Sequence, residues 1–169
     1  MNDPNDKALW VNNAEKEAEF VNIYGKQLNL ILNPAKLVDP YAADLYNWEY
    51  ETLADLKVQA EPFRSSGTTY GIPPERCVTL NVIDVVRYGA LHDGRRFIIY
   101  FWLCHPESPH NGVYGVKLPT LYKDIHNLRR AIHSYQTRDG KNGNKKDSFV
   151  LDVTVFKRLA GSPLEPPNQ

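Results

Sequence analysis

Ala43-Asp44-Leu45-Tyr46 and, with ten residues between its aspartate and Asp44, the run Leu53-Ala54-Asp55-Leu56-Lys57-Val58-Gln59 decide how this chain is read. Side chains alternate across a strand, so Leu53, Asp55, Lys57 and Gln59 share one face while Ala54, Leu56 and Val58 cover the other. The apolar face seats the strand on a core. The polar triplet is left aimed at a common point, and Asp44 arrives on what reads as the neighbouring strand. Two carboxylates and an amine on adjacent strands are the minimum equipment for a divalent ion acting on a phosphodiester. They are also what an ordinary solvated strand face carries, and a lone Asp-x-Lys matches often by accident.

The 169 residues, 42% of them hydrophobic, suffice for one domain with a core and are too few for two. We expect that domain over residues 1–160, with 161–169 a tail too poor in apolar residues to order itself. Basic and acidic residues balance at 20 each, but unevenly: Met1 to Ala60 holds five basic and ten acidic residues, Lys117 to Arg158 ten basic and four acidic. An acidic end that could hold cations and a basic end that could meet phosphates fit a nucleic-acid enzyme. Cys77 and Cys104 have no CxxC or cysteine–histidine spacing, which reads as a reduced protein. With no basic-then-apolar leader at Met1 and no apolar run near the ~20 residues a bilayer requires, the expected place is the cytoplasm, with no membrane contact.

Asn13 to Leu32 reads as a helix capped by Asn12 or Asn13, with Glu17, Val21, Tyr24, Leu28 and Ile31 on one stripe and Glu17 the carboxylate set to look inward. A hairpin follows, Asp44–Trp48 and Thr52–Gln59, whose turn lacks an Asn-Gly signal. Glu61 to Glu75 reads as a loop carrying Arg64, Ser65, Ser66, Thr68 and Thr69, any of which could touch a phosphate. Then come a strand at Cys77–Val82, a helix at Ile83–Leu91, and the apolar run Phe97 to Leu103, a strand buried on both faces. A strand at Val113–Lys117, a helix from Pro119 or Thr120 to about Tyr135, a loop at Gly140–Lys146 and a last strand at Phe149–Phe156 complete the order.

Helix, hairpin, strand, helix, buried strand implies a sheet with helices on both sides. In that order, and in Asp44 with Asp55-Leu56-Lys57, the chain resembles the PD-(D/E)XK nuclease superfamily over Glu15 to Leu103. The resemblance implies an α/β (α+β), restriction-endonuclease-like fold, a central mixed sheet flanked by helices with a metal site on the strand hairpin. Asp44, Asp55 and Lys57 match position by position. Ala43 stands where the family's proline would be, and Asp39-Pro40 is a rival pairing that keeps Asp39 open as the first ligand.

The chemistry implied is hydrolysis with Mg2+ or Mn2+. Asp44, Asp55 and the backbone carbonyl of Leu56 are the ligands, and Glu17 from the helix would bind a second ion or a metal-bound water. Lys57 would stabilise the developing charge or help deprotonate the attacking water, and Gln59 would orient by hydrogen bonding. Carboxylates crowded without a cation repel, a cost with no structural return. Zinc is poorly supported by five histidines that pair with no cysteine at ligand spacing, His126 and His133 being placed on one helix face. No Gly-x-Ser-x-Gly elbow or phosphate-binding glycine motif is present.

Two functions follow. One is a Mg2+-dependent DNA endonuclease gripping the duplex backbone through Arg64, Arg129, Arg130, Arg138, Lys141, Lys145 and Lys146. The other is a catalytically inactive nuclease-fold protein that binds DNA or a protein partner as a defence or counter-defence factor. A homodimer would suit double-strand cutting, with Trp10 or Trp48 as interface aromatics if they are not core residues.

Overall fold

The computed structural model describes residues 4–92, 95–106, 108–127, 131–134 and 147–161, the side chains of 4–12 and 127 excepted. Helix α1, Pro4–Leu28, runs longer at its start and shorter at its end than the periodicity predicts. It stops because Asn29 takes the left-handed conformation, φ 57°, one of the few non-glycine residues to which this costs little. The chain then doubles back as β1, Leu30–Leu32. Gly25 permits the return: a Cβ there would lie 2.8 Å from the Leu30 carbonyl oxygen. Ile31, expected on the helix stripe, is therefore a strand residue, 41% exposed, and fully buried Phe20 anchors the helix beside Val21, Tyr24 and Leu28.

The hairpin stands as expected. Strand β2, Leu45–Asn47, pairs antiparallel with β3, Thr52–Gln59, with Leu45 opposite Ala54. Asn47 does the work of the missing Asn-Gly signal. Its carbonyl oxygen accepts from the backbone N–H groups of Glu49 (3.1 Å) and Tyr50 (3.0 Å), and its amide donates to the Leu28 carbonyl (3.0 Å) at the end of α1. One buried side chain thus sets the turn and ties it to the helix.

A short helix α2, Ser66–Tyr70, interrupts the expected loop and leads to β4, Cys77–Asn81, and α3, Val82–His92. Strand β5, Phe97–Leu103, lies parallel to β3, with Asp55 opposite Ile99 and Lys57 opposite Phe101. Strand β6, Gly112–Lys117, returns antiparallel beside β5 and feeds α4, Leu118–Asn127. The helix expected to reach Tyr135 cannot do so, because Ile132–His133 form β7 and pair with β8, Ser148–Asp152. His126 and His133 accordingly share no helix, and His133 Nδ1 lies 2.7 Å from the Tyr70 hydroxyl.

The single last strand expected at Phe149–Phe156 is two strands in two sheets. Asp152 caps a 3-10 turn over Val153–Val155, accepting from the Thr154 N–H at 3.0 Å, and the chain re-emerges as β9, Lys157–Ala160, against β6. The result is a mixed six-stranded sheet, β1-β2-β3-β5-β6-β9, and a smaller sheet, β4-β8-β7. As expected, β5 is buried on both faces. Phe97, Ile99, Phe101 and Leu103 face a core shared with Val85, Tyr88, Leu121 and Leu151, while Tyr100 and Trp102 face Phe20, Leu45, Ala54 and Leu56. Helices thus cover both faces of the central sheet.

The expected loop at 140–146, the tail beyond Gly161, and Arg129, Arg130, Arg138, Lys141, Lys145 and Lys146 fall outside the described residues. Cys77 and Cys104 are free. No helix among the described residues is long and apolar enough to cross a membrane.

Candidate active site

Because β2 and β3 pair with Leu45 against Ala54, the residue before β2, Asp44, arrives beside Asp55. Asp44 is held there by the Leu56 N–H, which donates to its Oδ2 at 2.9 Å. The two carboxyl groups come close enough for each to act on the other's ionisation. Burial, reinforced by the charges of Asp55 and Glu17, pushes the Asp44 carboxyl well above the usual carboxylate range. Burial acts on Asp55 in the same direction, but the Lys57 ammonium, the neighbouring Asp44 carboxyl and the Tyr88 hydroxyl hold it well below that range. Asp39, the rival first ligand, is exposed and accepts from the Tyr41 N–H at 2.9 Å instead.

Lys57 reaches across the β3 face to α3. Its Nζ lies 2.9 Å from Asp55 Oδ2 and 2.8 Å from Asp84 Oδ2, and although burial disfavours the charge, the Asp55 and Asp84 carboxylates hold the ammonium well above its ordinary pKa. Tyr88, one turn beyond Asp84 on the same helix, donates its hydroxyl to Asp55 Oδ2. Burial and the Asp55 charge suppress the ionisation of that phenol.

Glu17 looks inward as expected, its side chain 13% exposed, but it does not reach the aspartate pair directly. Lys36 stands between them. Its Nζ donates to both Glu17 oxygens, at 2.8 and 2.9 Å, and to Asp44 Oδ1. Gln59 is brought elsewhere: its amide donates to the Glu61 carbonyl at 2.6 Å and accepts from the Thr79 hydroxyl at 3.4 Å. Arg64 is exposed just beyond the end of β3, whereas Ser66 is fully buried and donates to the Ile72 carbonyl at 2.7 Å, which removes it from the phosphate candidates.

The structure therefore brings together Asp44, Asp55 and Lys57, joins Glu17 through a lysine, and leaves Gln59 outside. Among the described residues no three His, Cys, Asp or Glu side chains form a ready ligand set. Three residues that strand periodicity missed are Lys36, Asp84 and Tyr88. The i, i+4 spacing of Asp84 and Tyr88 on an expected helix was a usable signal, since such residues share a face. Lys36, in a turn between two prolines, offered none.

No family model matches the chain, and no curated protein does. Among solved structures it is similar to the Holliday junction resolvase Hjc of Archaeoglobus fulgidus, an archaeal hyperthermophile, at 9% identity over 85% of this chain and 88% of that one, TM-score 0.39. It is similar also to a nuclease from a fusselovirus, at 12% identity over 94% and 89%, TM-score 0.43. In its own element order, a helix, an antiparallel hairpin, a helical crossover to a parallel buried strand and an antiparallel return, the chain has the expected mixed α/β architecture, a central mixed sheet flanked by helices.

Proposed function

We propose that this chain is a metal-dependent nuclease hydrolysing phosphodiester bonds of DNA, and that it acts as an endonuclease. One observation carries the reading: Asp44 and Asp55 meet at the hairpin with Lys57 two residues on, on the side of β3 that α3 covers. The donor set fits a hard divalent ion, because carboxylate and carbonyl oxygens are what such ions prefer. Mg2+ or Mn2+ held by Asp44, Asp55 and the Leu56 carbonyl would polarise the scissile phosphate and acidify a water.

The chain's own groups supply the rest. Lys57, held charged by two carboxylates, is suited to stabilising negative charge on the phosphate oxygens and unsuited to taking a proton. Asp84 and Tyr88 position it and Asp55 from α3, so the charge need not be reorganised during reaction. Arg64 is exposed and could meet a flanking phosphate, and Arg129, Arg130, Arg138, Lys141, Lys145 and Lys146 belong to the basic stretch from Lys117 to Arg158.

The test is incubation of purified protein with supercoiled plasmid and Mg2+ or Mn2+, repeated with Asp55→Ala and Lys57→Ala under conditions where circular dichroism shows both folded. Cleavage by the wild type and its loss in both variants is expected; persistence in both overturns the site. A second reading is favoured by the internal pairing of every site carboxylate with an ammonium: a non-catalytic protein of this fold that binds DNA. Its signature is salt-sensitive, chelator-insensitive binding without strand breaks. Sedimentation of the nuclease with and without DNA tests the homodimer.

A further inference from the structure

Lys36 holds a position that the sequence reserved for metal. Its ammonium lies 2.8 and 2.9 Å from the two oxygens of Glu17 and bonds Asp44 Oδ1 as well. A cation shared between Glu17 and Asp44 would need those same oxygens. The lysine is not a surface residue that fell into place, since its side chain is 19% exposed against 13% for Glu17 and 14% for Asp44. The turn that carries it is built. Asn33, itself buried, accepts from the Ala35 N–H at 3.1 Å and donates its side-chain amide to the Ala43 carbonyl at 2.8 Å. The Asn33 backbone N–H donates to the Asp44 carbonyl at 3.0 Å, and its carbonyl accepts from the Lys36 N–H at 3.0 Å. One asparagine thus clamps both ends of the 34–43 excursion and fixes Lys36 over the space between helix and hairpin.

We infer that the Lys36 ammonium is the resident cation on the Glu17 side of the site, so that the chain binds a single divalent ion, on the Asp44 and Asp55 side, and Glu17 is not its ligand. This rests on the metal-binding reading above and narrows it: the second ion expected beside Glu17 is replaced by an amine covalently part of the protein. The lysine pairs with both carboxylates whatever the metal supply, and Mg2+, which sheds its water reluctantly, has no vacant pair of carboxylates there to offset the loss. Asp44 serves both sides. One of its oxygens faces Lys36 and the other, which accepts from the Leu56 N–H, retains lone-pair capacity.

Titration of Mn2+ into the metal-free protein decides the matter, with bound ion counted by calorimetry and free ion by electron paramagnetic resonance. Expected are one Mn2+ per chain for the wild type, one for Glu17→Gln, and two for Lys36→Met, the second vanishing in Lys36→Met/Glu17→Gln. Two ions on the wild type, one on Lys36→Met, or none on Glu17→Gln overturns the inference and leaves the metal reading intact. No ion on the wild type and none on Lys36→Met sinks both. Should Lys36→Met fail to fold, Lys36→Gln keeps a hydrogen-bonding group in the turn, and Glu17→Gln alone still discriminates, because a true ligand cannot be removed without losing the ion.

Discussion

Lys57 answers to two carboxylates, so replacing it perturbs folding as well as chemistry, and the two effects can be separated quantitatively. Its Nζ lies 2.9 Å from Asp55 and 2.8 Å from Asp84, with 22% of the side chain exposed and 5% and 11% for the partners. Lys57→Met keeps most of the volume and deletes the charge, leaving Asp55 without a cation and Asp84 with only the Arg87 guanidinium, 3.3 Å away. Breaking a buried pair by removing one partner costs about 3–5 kcal/mol. Asp55 keeps the Tyr88 hydroxyl, and water reaches part of the lysine, so the lower end, about 3 kcal/mol, applies here. Asp84→Asn leaves Lys57 its Asp55 and costs about 1 kcal/mol.

The double variant discriminates. With Asp84 neutralised, deleting the lysine no longer sets two negative charges against each other, and the combined loss should fall short of the sum by about 1–2 kcal/mol, the range for groups in contact. Urea unfolding measures this, since at about 2 kcal/mol per molar a 3 kcal/mol loss moves the midpoint by about 1.5 M. Losses that add to within about 0.5 kcal/mol would refute the claim that Asp84 positions Lys57. The same series sorts activity. Asp84→Asn should retain measurable cleavage, and Lys57→Met none at temperatures where it remains folded.

Four further outcomes are expected. In chelator, Asp44→Asn should gain on the wild type as pH rises. The Asp44 pKa is raised in the folded state, so its share of stability is complete below the ordinary value of 3.8 and drains away above it, while asparagine has no proton to lose; urea midpoints whose difference is constant between about pH 4 and pH 8 would count against the raised Asp44 pKa. Tyr88→Phe keeps the ring against Phe97, at 5.2 Å, but removes a donor to an ionised carboxylate, costing about 1.5–3 kcal/mol. Asp55 titrates below its ordinary 3.8, so its contribution is present above that value and fades as pH falls, and the penalty should shrink in acid unfolding curves. Asn47→Ala should cost about 2–4 kcal/mol by calorimetry, because it strands two turn N–H groups and the Leu28 carbonyl together; a loss under 1 kcal/mol would mean water replaces them. Gly25→Ala gains about 1 kcal/mol of helix propensity but sets a methyl 2.8 Å from the Leu30 oxygen, so a net destabilisation of about 1 kcal/mol is expected in thermal melts.

The parts of this fold that could be read from the sequence are those where local periodicity and tertiary environment agree. Hairpin and crossover are of that kind: Thr52–Gln59 alternates because one face meets a core, and Phe97–Leu103 does not because both do. The boundaries that were misread are set by contacts. The α1 stripe continues in phase through Ile31, and only the left-handed Asn29 with the gap at Gly25 diverts it into a strand. At 149–156 the alternation is equally continuous, yet the Asp152 side chain captures the Thr154 backbone N–H, two residues on, and the chain passes from one sheet to the other.

The site divides the same way. Asp44, Asp55 and Lys57 are legible because their spacing along a hairpin is also their spacing in space. Lys36 is 19 residues from Glu17 and Asp84 27 from Lys57, so these pairs exist only after α1, the hairpin and α3 have packed. Those pairs resolve the electrostatic objection raised by the acidic cluster alone. Four carboxylates, Glu17, Asp44, Asp55 and Asp84, stand with three cations, the Lys36 and Lys57 ammoniums and the Arg87 guanidinium, which lies 3.3 Å from Asp84. What remains is close to a single negative charge, small enough for a folded domain to carry. A divalent ion entering at Asp44 and Asp55 competes with protons for the Asp44 carboxyl, whose pKa burial raises, so its affinity must strengthen as pH rises.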